Sequence, residues 1–139
     1  MTAAGPLEGL PPALGVEPPE LSVCLSQERI NDYAEASGDH NPIHLDPDFA
    51  RAVGLASTIA HGLLTLAAAA APLERWSAEV AHVSRVSCRF SAPVPSGDRI
   101  SGRPQVKEAG PGRMVLTLEA RNGSGELALT KAEMELRSL

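Results

Sequence analysis

The run "STIAHGLLTLAAAAAPLERW", residues 57–76, limits the possible folds more than any other part of the chain. Its composition predicts one long helix, starting near Ser57 or Thr58, whose middle is almost wholly Leu and Ala. A helix apolar on nearly every side has to be covered on nearly every side. Side chains as small as alanine suit close contact with something flat, and a β-sheet is the obvious candidate. The sequence that follows supplies one. From Glu79 onward the apolar period changes to two: Val86, Cys88 and Phe90 alternate with Arg85, Ser87 and Arg89. "PVPSGD" reads as a turn, and "RISGRPQVKE", "RMVLTLEARN" and "GELALTKAEMELRS" read as three more strands, parted by "AGPG" and "NGSG". Met114, Leu116 and Leu118 share one face, as do Ala128, Thr130, Ala132, Met134 and Leu136. Four consecutive strands in meander-like order are expected.

Ahead of the long helix, "ELSVCLS" suggests a short strand. "SQERINDYAEASG" suggests a helix capped by Ser26, with Ile30, Tyr33 and Ala34 on one face and Gly38 as its stop. Pro42 keeps Asn41 out of helical geometry, so "DHNPIH" is expected as a tight irregular loop. Asp46 and Pro47 open a second short helix, "PDFARAV", closed by Gly54. Residues 1–20, rich in Pro, Gly and acid, form an expected extended arm, and residues 21–139 one domain. The layout is α+β, with the helices segregated to one face of a curved antiparallel sheet. Such a sheet has open edges, so pairing with a second copy or a related chain is expected.

A chain of 139 residues fits one domain that buries roughly 70% of its unfolded surface. A net charge of −5 without a basic block argues against nucleic acid as a partner. No apolar run is long enough to span a bilayer, and the first twenty residues contain no Lys or Arg and do not read as a signal peptide. The expectation is a cytoplasmic protein. Cys24 and Cys88 match no metal or redox spacing and read as buried thiols.

The chemistry gathers in "SGDHNPIHLDPDFA", residues 37–50. Asp46 and Asp48 are most simply a helix cap and a first-turn carboxylate. Asp39 and His44 differ, because a proline-stiffened loop holds them between apolar helices. An imidazole titrates near neutrality, and partial burial raises a carboxylate pKa. Those are the requirements of an acid–base pair. A metal site is the other reading, since Asp39, His40, His44 and His61 offer enough ligands. The chain has no HExxH pattern and no Cys in the cluster, so no metal is expected. Gly62 lies near the start of the long helix. The early N–H groups of a helix lack internal partners, and a glycine there lets a ligand carbonyl come close. His61 reads as a hydrogen-bonded structural histidine.

With "IAHGLL" placed so that His61 falls seventeen residues after His44, "YAEASGDHNPIHLDPDFA" resembles the MaoC-like, (R)-specific enoyl hydratase/dehydratase family. Tyr33, Ser37, Gly38, Asp39, Asn41, Pro42, His44 and Ala50 carry the resemblance. It implies the hot-dog fold, in which a curved sheet wraps a long helix. It also implies reversible addition of water to trans-2-enoyl thioesters of coenzyme A or acyl carrier protein. Asp39 and His44 would be the acid–base pair, Asn41 would orient the loop, and Gly62 N–H would be the oxyanion contact. No cofactor is implied. One departure is Ala70, which stands where some members of the family carry a serine near the aspartate; Thr65 is the nearest hydroxyl on the helix.

Two rival readings remain. A hot-dog thioesterase uses a carboxylate on or beside the central helix, and the segment from Thr58 to Leu73 has no Asp or Glu. A heterodimeric dehydratase would need a related partner chain, with this one as the active member. Arg85, Arg89, Arg99 and Arg103 could meet carrier phosphates, although solvated strand faces are the commoner explanation.

Overall fold

The computed structural model describes residues 17–139. Most of the expected N-terminal arm, residues 1–16, lies outside the described residues. The element order is β1 (Leu21–Cys24), α1 (Gln27–Ser37), α2 (Pro42–Leu45), α3 (Pro47–Ala52), α4 (Gly62–Ser77), β2 (Ala81–Phe90), β3 (Arg99–Gly102), β4 (Gln105–Gly110), β5 (Arg113–Thr117), β6 (Ala120–Arg121) and β7 (Leu127–Ser138).

All strand pairings are antiparallel, and β7 is the hub. It pairs with β2 along one side and with β5 and β6 along the other. Beyond these, β4 pairs with β5, β3 with β6, and β1 with β3. The meander expectation therefore holds for the last three predicted strands and fails for β2, which joins the final strand instead of its neighbour in sequence.

Two predicted strands are each broken in two. Between β3 and β4 stands Pro104, which has no N–H to give to a ladder. Between β5 and β6, Glu119 crosses so near β3 that a Cβ on Gly102 would lie 2.3 Å from its carbonyl oxygen. At the same level of β7, Lys131 has φ 51 and donates its N–H to the Glu119 carboxylate. These irregularities align across three strands and bend the sheet around α4, as bulges do. The bulge also shifts the inward face of β7: Leu129 is buried alongside the expected Ala128 and Thr130 is not, whereas Ala132, Met134 and Leu136 are buried beyond it, as expected. The single alternation expected from Ala128 to Leu136 is in fact two, joined at Lys131.

Helix α4 begins at Gly62, later than the expected Ser57 or Thr58. Residues 58–60 are extended because they find partners in the loop after β2: Ala60 N–H donates to Val94 O, and Ser96 N–H to Thr58 O. Two of these residues, Thr58 and Ile59, are β-branched and suit that geometry. Within the chain α4 buries one stripe, Thr65, Ala69, Leu73 and Ser77, at four-residue spacing. This stripe meets Ile100, Leu116, Leu118, Met134 and Leu136 in one core. Leu63 remains 60% exposed, so the helix is not covered on every side. No helix of the described residues is long and apolar enough to cross a membrane.

Candidate active site

The loop after α1 is built by local hydrogen bonds that its sequence dictates. Ser26 caps α1 by accepting from Arg29 N–H, and Gly38 ends the helix at φ 80, where a side chain would be strained. Asp39 N–H donates to Ser37 Oγ, and Asp39 Oδ1 accepts from Asn41 N–H at 3.2 Å. Asn41 Oδ1 then accepts from Ile43 N–H and caps α2, with Pro42 as its first residue. "DHNPIH" is thus only partly irregular. Pro42 excludes helix before itself and starts a single turn after itself, because its fixed φ suits the first helical position. Asp46 caps α3 by accepting from Asp48 and Phe49 N–H.

That single turn carries His44 inward. The side chain is 9% exposed, and its Nδ1–H donates to Ile59 O at 2.8 Å. In the neutral ring that bond places the proton on Nδ1 and the lone pair on Nε2, which faces Asp39 Oδ2 at 3.9 Å. The distance is too long for a hydrogen bond. The spacing leaves room for a water oxygen within hydrogen-bond reach of both groups. Asp39 itself is half exposed, 52% by side chain, so the burial expected around its carboxylate is absent within this chain. His40 points elsewhere, to Glu35 at the surface, and that carboxylate raises its pKa.

His61 is more central than its sequence suggests. Its ring stacks on His44 with centroids 3.8 Å apart at 24°, and Tyr33 tilts against it with centroids 4.7 Å apart. His61 Nε2–H donates to the Asp39 carbonyl at 3.1 Å, so one buried ring touches both candidate residues. Its Nδ1 is buried with no partner among the described residues. Burial first, and then the nearness of His44, lowers the His61 pKa and keeps the ring neutral. Gln27 braces the arrangement from α1. It donates to His44 O and accepts from Thr58 Oγ1, tying three segments together. No pattern in the sequence marks Gln27, Thr58 or the Ile59 carbonyl for these tasks.

Asp39, His44 and His61 place potential ligand atoms within 4.8 Å of one another. They fit a metal ion poorly. Nitrogen lone pairs lie in the ring planes, and nearly parallel rings 3.8 Å apart cannot aim at one point about 2.0 Å from both.

Gly62 opens α4, and among the described residues no acceptor takes its N–H. The space a Cβ would fill is occupied by the Phe90 ring, 3.0 Å from the ideal Cβ position. The glycine therefore admits an aromatic ring of its own chain on that side, whereas a ligand oxygen was expected. Beside it lies a cavity of about 180 Å³, lined by Ile59, Gly62, Thr65, Phe90, Val94 and Ala128 among others.

A model of the MaoC like domain matches residues 13–126 of the sequence. The chain belongs to this family. Among its relatives, 3-hydroxyacyl-thioester dehydratase Z of Mycobacterium tuberculosis is 37% identical over 108 residues, spanning 69% of each chain. Of solved structures, R-hydratase PhaJ1 from Pseudomonas aeruginosa superposes with a TM-score of 0.79 at 26% identity, over 86% of this chain and 78% of that one. The (R)-hydratase from A. caviae gives a TM-score of 0.75 at 26% identity, over 86% and 92%. The fold is the hot-dog fold, and the MaoC-like chain described here is a hydro-lyase.

Proposed function

We propose that this MaoC-like chain hydrates trans-2-enoyl thioesters, and dehydrates (R)-3-hydroxyacyl thioesters, with Asp39 and His44 as its acid–base pair. The observation that carries this reading is the 3.9 Å gap between Asp39 Oδ2 and His44 Nε2, next to a helix whose first N–H has no acceptor among the described residues.

In hydration, water sits in that gap and loses a proton to His44 Nε2 as its oxygen adds to C3. The carboxyl group of Asp39 gives its proton to C2. The proton gained by His44 returns to Asp39 across the gap, so the pair starts and ends with one proton. Dehydration follows the same path backwards. Negative charge on the thioester oxygen is met by Gly62 N–H at the positive end of α4, and losing such a donor typically costs about 3 kcal/mol of barrier. Neutral His61 fits this scheme, because a charged ring stacked on His44 would oppose proton uptake there. Asn41 acts through the α2 cap. The acyl chain occupies the cavity beside Gly62, and coenzyme A or an acyl carrier protein bears the thioester.

A second hot-dog chain, identical or related, belongs to this reading. Leu63 and Phe90 are exposed apolar side chains near the site, and the outer edge of β2 is unpaired among the described residues. The solved ChsH1–ChsH2 and HadBC assemblies of Mycobacterium tuberculosis have related folds. A thioesterase mechanism is disfavoured because the one acidic residue of α4, Glu74, is exposed near the far end of the helix from Gly62.

The test is an absorbance assay of purified protein with crotonyl-CoA, with chiral analysis of the product and a parallel thiol assay. An (R)-3-hydroxyacyl product without free thiol is the expected result. Thiol release, or an (S) product, would overturn the reading. Activity that appears only on coexpression with a related chain would assign the heterodimeric form.

A further inference from the structure

A second concavity, of about 380 Å³, lies away from Asp39 and His44 between α1, β1, β3 and α4. Arg29 from α1, Arg75 from α4 and Arg99 from β3 line it, with Ser22, Cys24 and Ala68 among the remaining walls. We propose that this is a phosphate-binding subsite.

Five of the chain's cationic side chains, Arg51, Arg103, Lys107, Arg113 and Arg137, have carboxylate partners. Among the described residues the other seven have none, and three of those seven, Arg29, Arg75 and Arg99, gather in this one hollow, although the chain is acidic overall. Glu28, Asp32, Glu74 and Glu79 stand close by in sequence, yet among the described residues none pairs with these arginines, and two further acids are engaged elsewhere. Both oxygens of Asp98 accept backbone N–H groups, from Arg99 and Gly123, and Glu20 pairs with Arg103. Three like charges from three separate elements therefore line one hollow, and an anion entering it would be attracted by all three.

Helix electrostatics sharpen the point. Arg75 lies in the last turn of α4, where a cation is favourable. Arg29 lies in the first turn of α1, where a cation opposes the helix dipole. Its position is not explained by the stability of α1, whereas an anion at that end would gain from both the dipole and the guanidinium. Arg99 is already oriented, its Nη1–H donating to Ser22 Oγ at 3.1 Å. Ala68 and Ala71 are the small residues of the lining and leave the space between the three arms open. Planar forks of N–H donors from several directions suit the oxygens of a phosphate or diphosphate.

Two sources share this chemistry: the phosphates of the thioester's carrier, and a separate phosphorylated metabolite. Arg75 is about 20 Å along the helix axis from Gly62, at 1.5 Å per residue. That separation requires an extended arm if carrier and subsite are to meet.

The experiment uses the full chain and inorganic pyrophosphate as probe, read by thermal shift and by inhibition of crotonyl-CoA turnover. It compares wild type with Arg29→Ala/Arg99→Ala, two exposed positions outside the catalytic loop. Pyrophosphate should raise the wild-type Tm, and the double variant should bind it about tenfold or more weakly. If the variant also raises KM for crotonyl-CoA, but not for the phosphate-free N-acetylcysteamine thioester, the source is the carrier. If pyrophosphate binds without affecting either substrate, the source is a separate metabolite. Equal shifts in wild type and variant, or no shift in wild type together with unchanged KM values, would overturn the proposal. The binding readout does not depend on turnover, so it stands or falls apart from the hydratase reading.

Discussion

Phe90→Ala should change which acyl chains the enzyme accepts. The cavity beside Gly62 measures about 180 Å³, and Phe90 forms one wall. An apolar cavity of about 150 Å³ holds a benzene ring, so this one holds roughly six to seven carbons. Up to that length each added methylene gains about 0.8 kcal/mol by leaving water. Beyond it, further methylenes find no room, and a misfit of that kind is worth roughly 1–3 kcal/mol, or about 10–200-fold in kcat/KM. Wild type assayed with crotonyl-CoA and its longer homologues should therefore rise in kcat/KM to medium length and then fall by about tenfold or more. Removing the Phe90 ring opens the wall and should lift the longer substrates to within a few-fold of the best. The fold should tolerate the change. Phe90 is 53% exposed, so its loss costs well below the 3–5 kcal/mol typical of a buried Phe→Ala. A flat wild-type length profile would refute the reasoning, as would an Ala variant with the wild-type profile.

Three further outcomes follow from individual contacts. His61→Phe keeps a ring against His44 but leaves the Asp39 carbonyl without its donor, a loss of about 1–3 kcal/mol. Its kcat should fall about tenfold with little change in KM. Because the folded-state pKa of His61 is lowered below 6.5, its stabilisation is full above that pH and is lost as pH falls below it. Denaturant melts of the Phe variant should lack that part of the slope. Asn41→Ala removes the α2 cap and should cost about 1 kcal/mol in urea melts, with a larger loss in kcat than in KM. Glu135, on β7, is held at about 2, first by the Ser84 hydroxyl, then by Arg113 and Arg137. A depressed carboxylate stabilises the fold above its unfolded value of 4.5, and that stability is lost as pH falls from 4.5 toward 2. Glu135→Gln should flatten acid unfolding in this window while sparing activity at neutral pH.

Local chemistry made much of this legible in the sequence. Ser26 and Gly38 bound α1 as expected, because caps are set by the residues themselves. Asp39, His44 and Gly62 stood out through spacing and family resemblance. What could not be read is what depends on distant partners. The pairing of β2 with β7 is a choice among sheet edges, and nothing local records it. Residues 58–60 look helical until the loop at Val94 and Ser96 offers them hydrogen bonds. The Lys131 bulge shifts a face that simple alternation runs straight through. His61 seemed a bystander because its two decisive contacts are a ring face and a backbone carbonyl, and neither leaves a mark in the amino-acid pattern.

The central claim, that Asp39 and His44 move the protons, is tested most directly by single-turnover hydration of crotonyl-CoA with Asp39→Asn and His44→Gln. Each change keeps size and removes one proton-transfer group, and such groups contribute about 10²–10⁴-fold. The account predicts losses in that range for both variants with unchanged circular dichroism, and a double variant little worse than either single. Near-wild-type rates in either variant, with the fold intact, would contradict it.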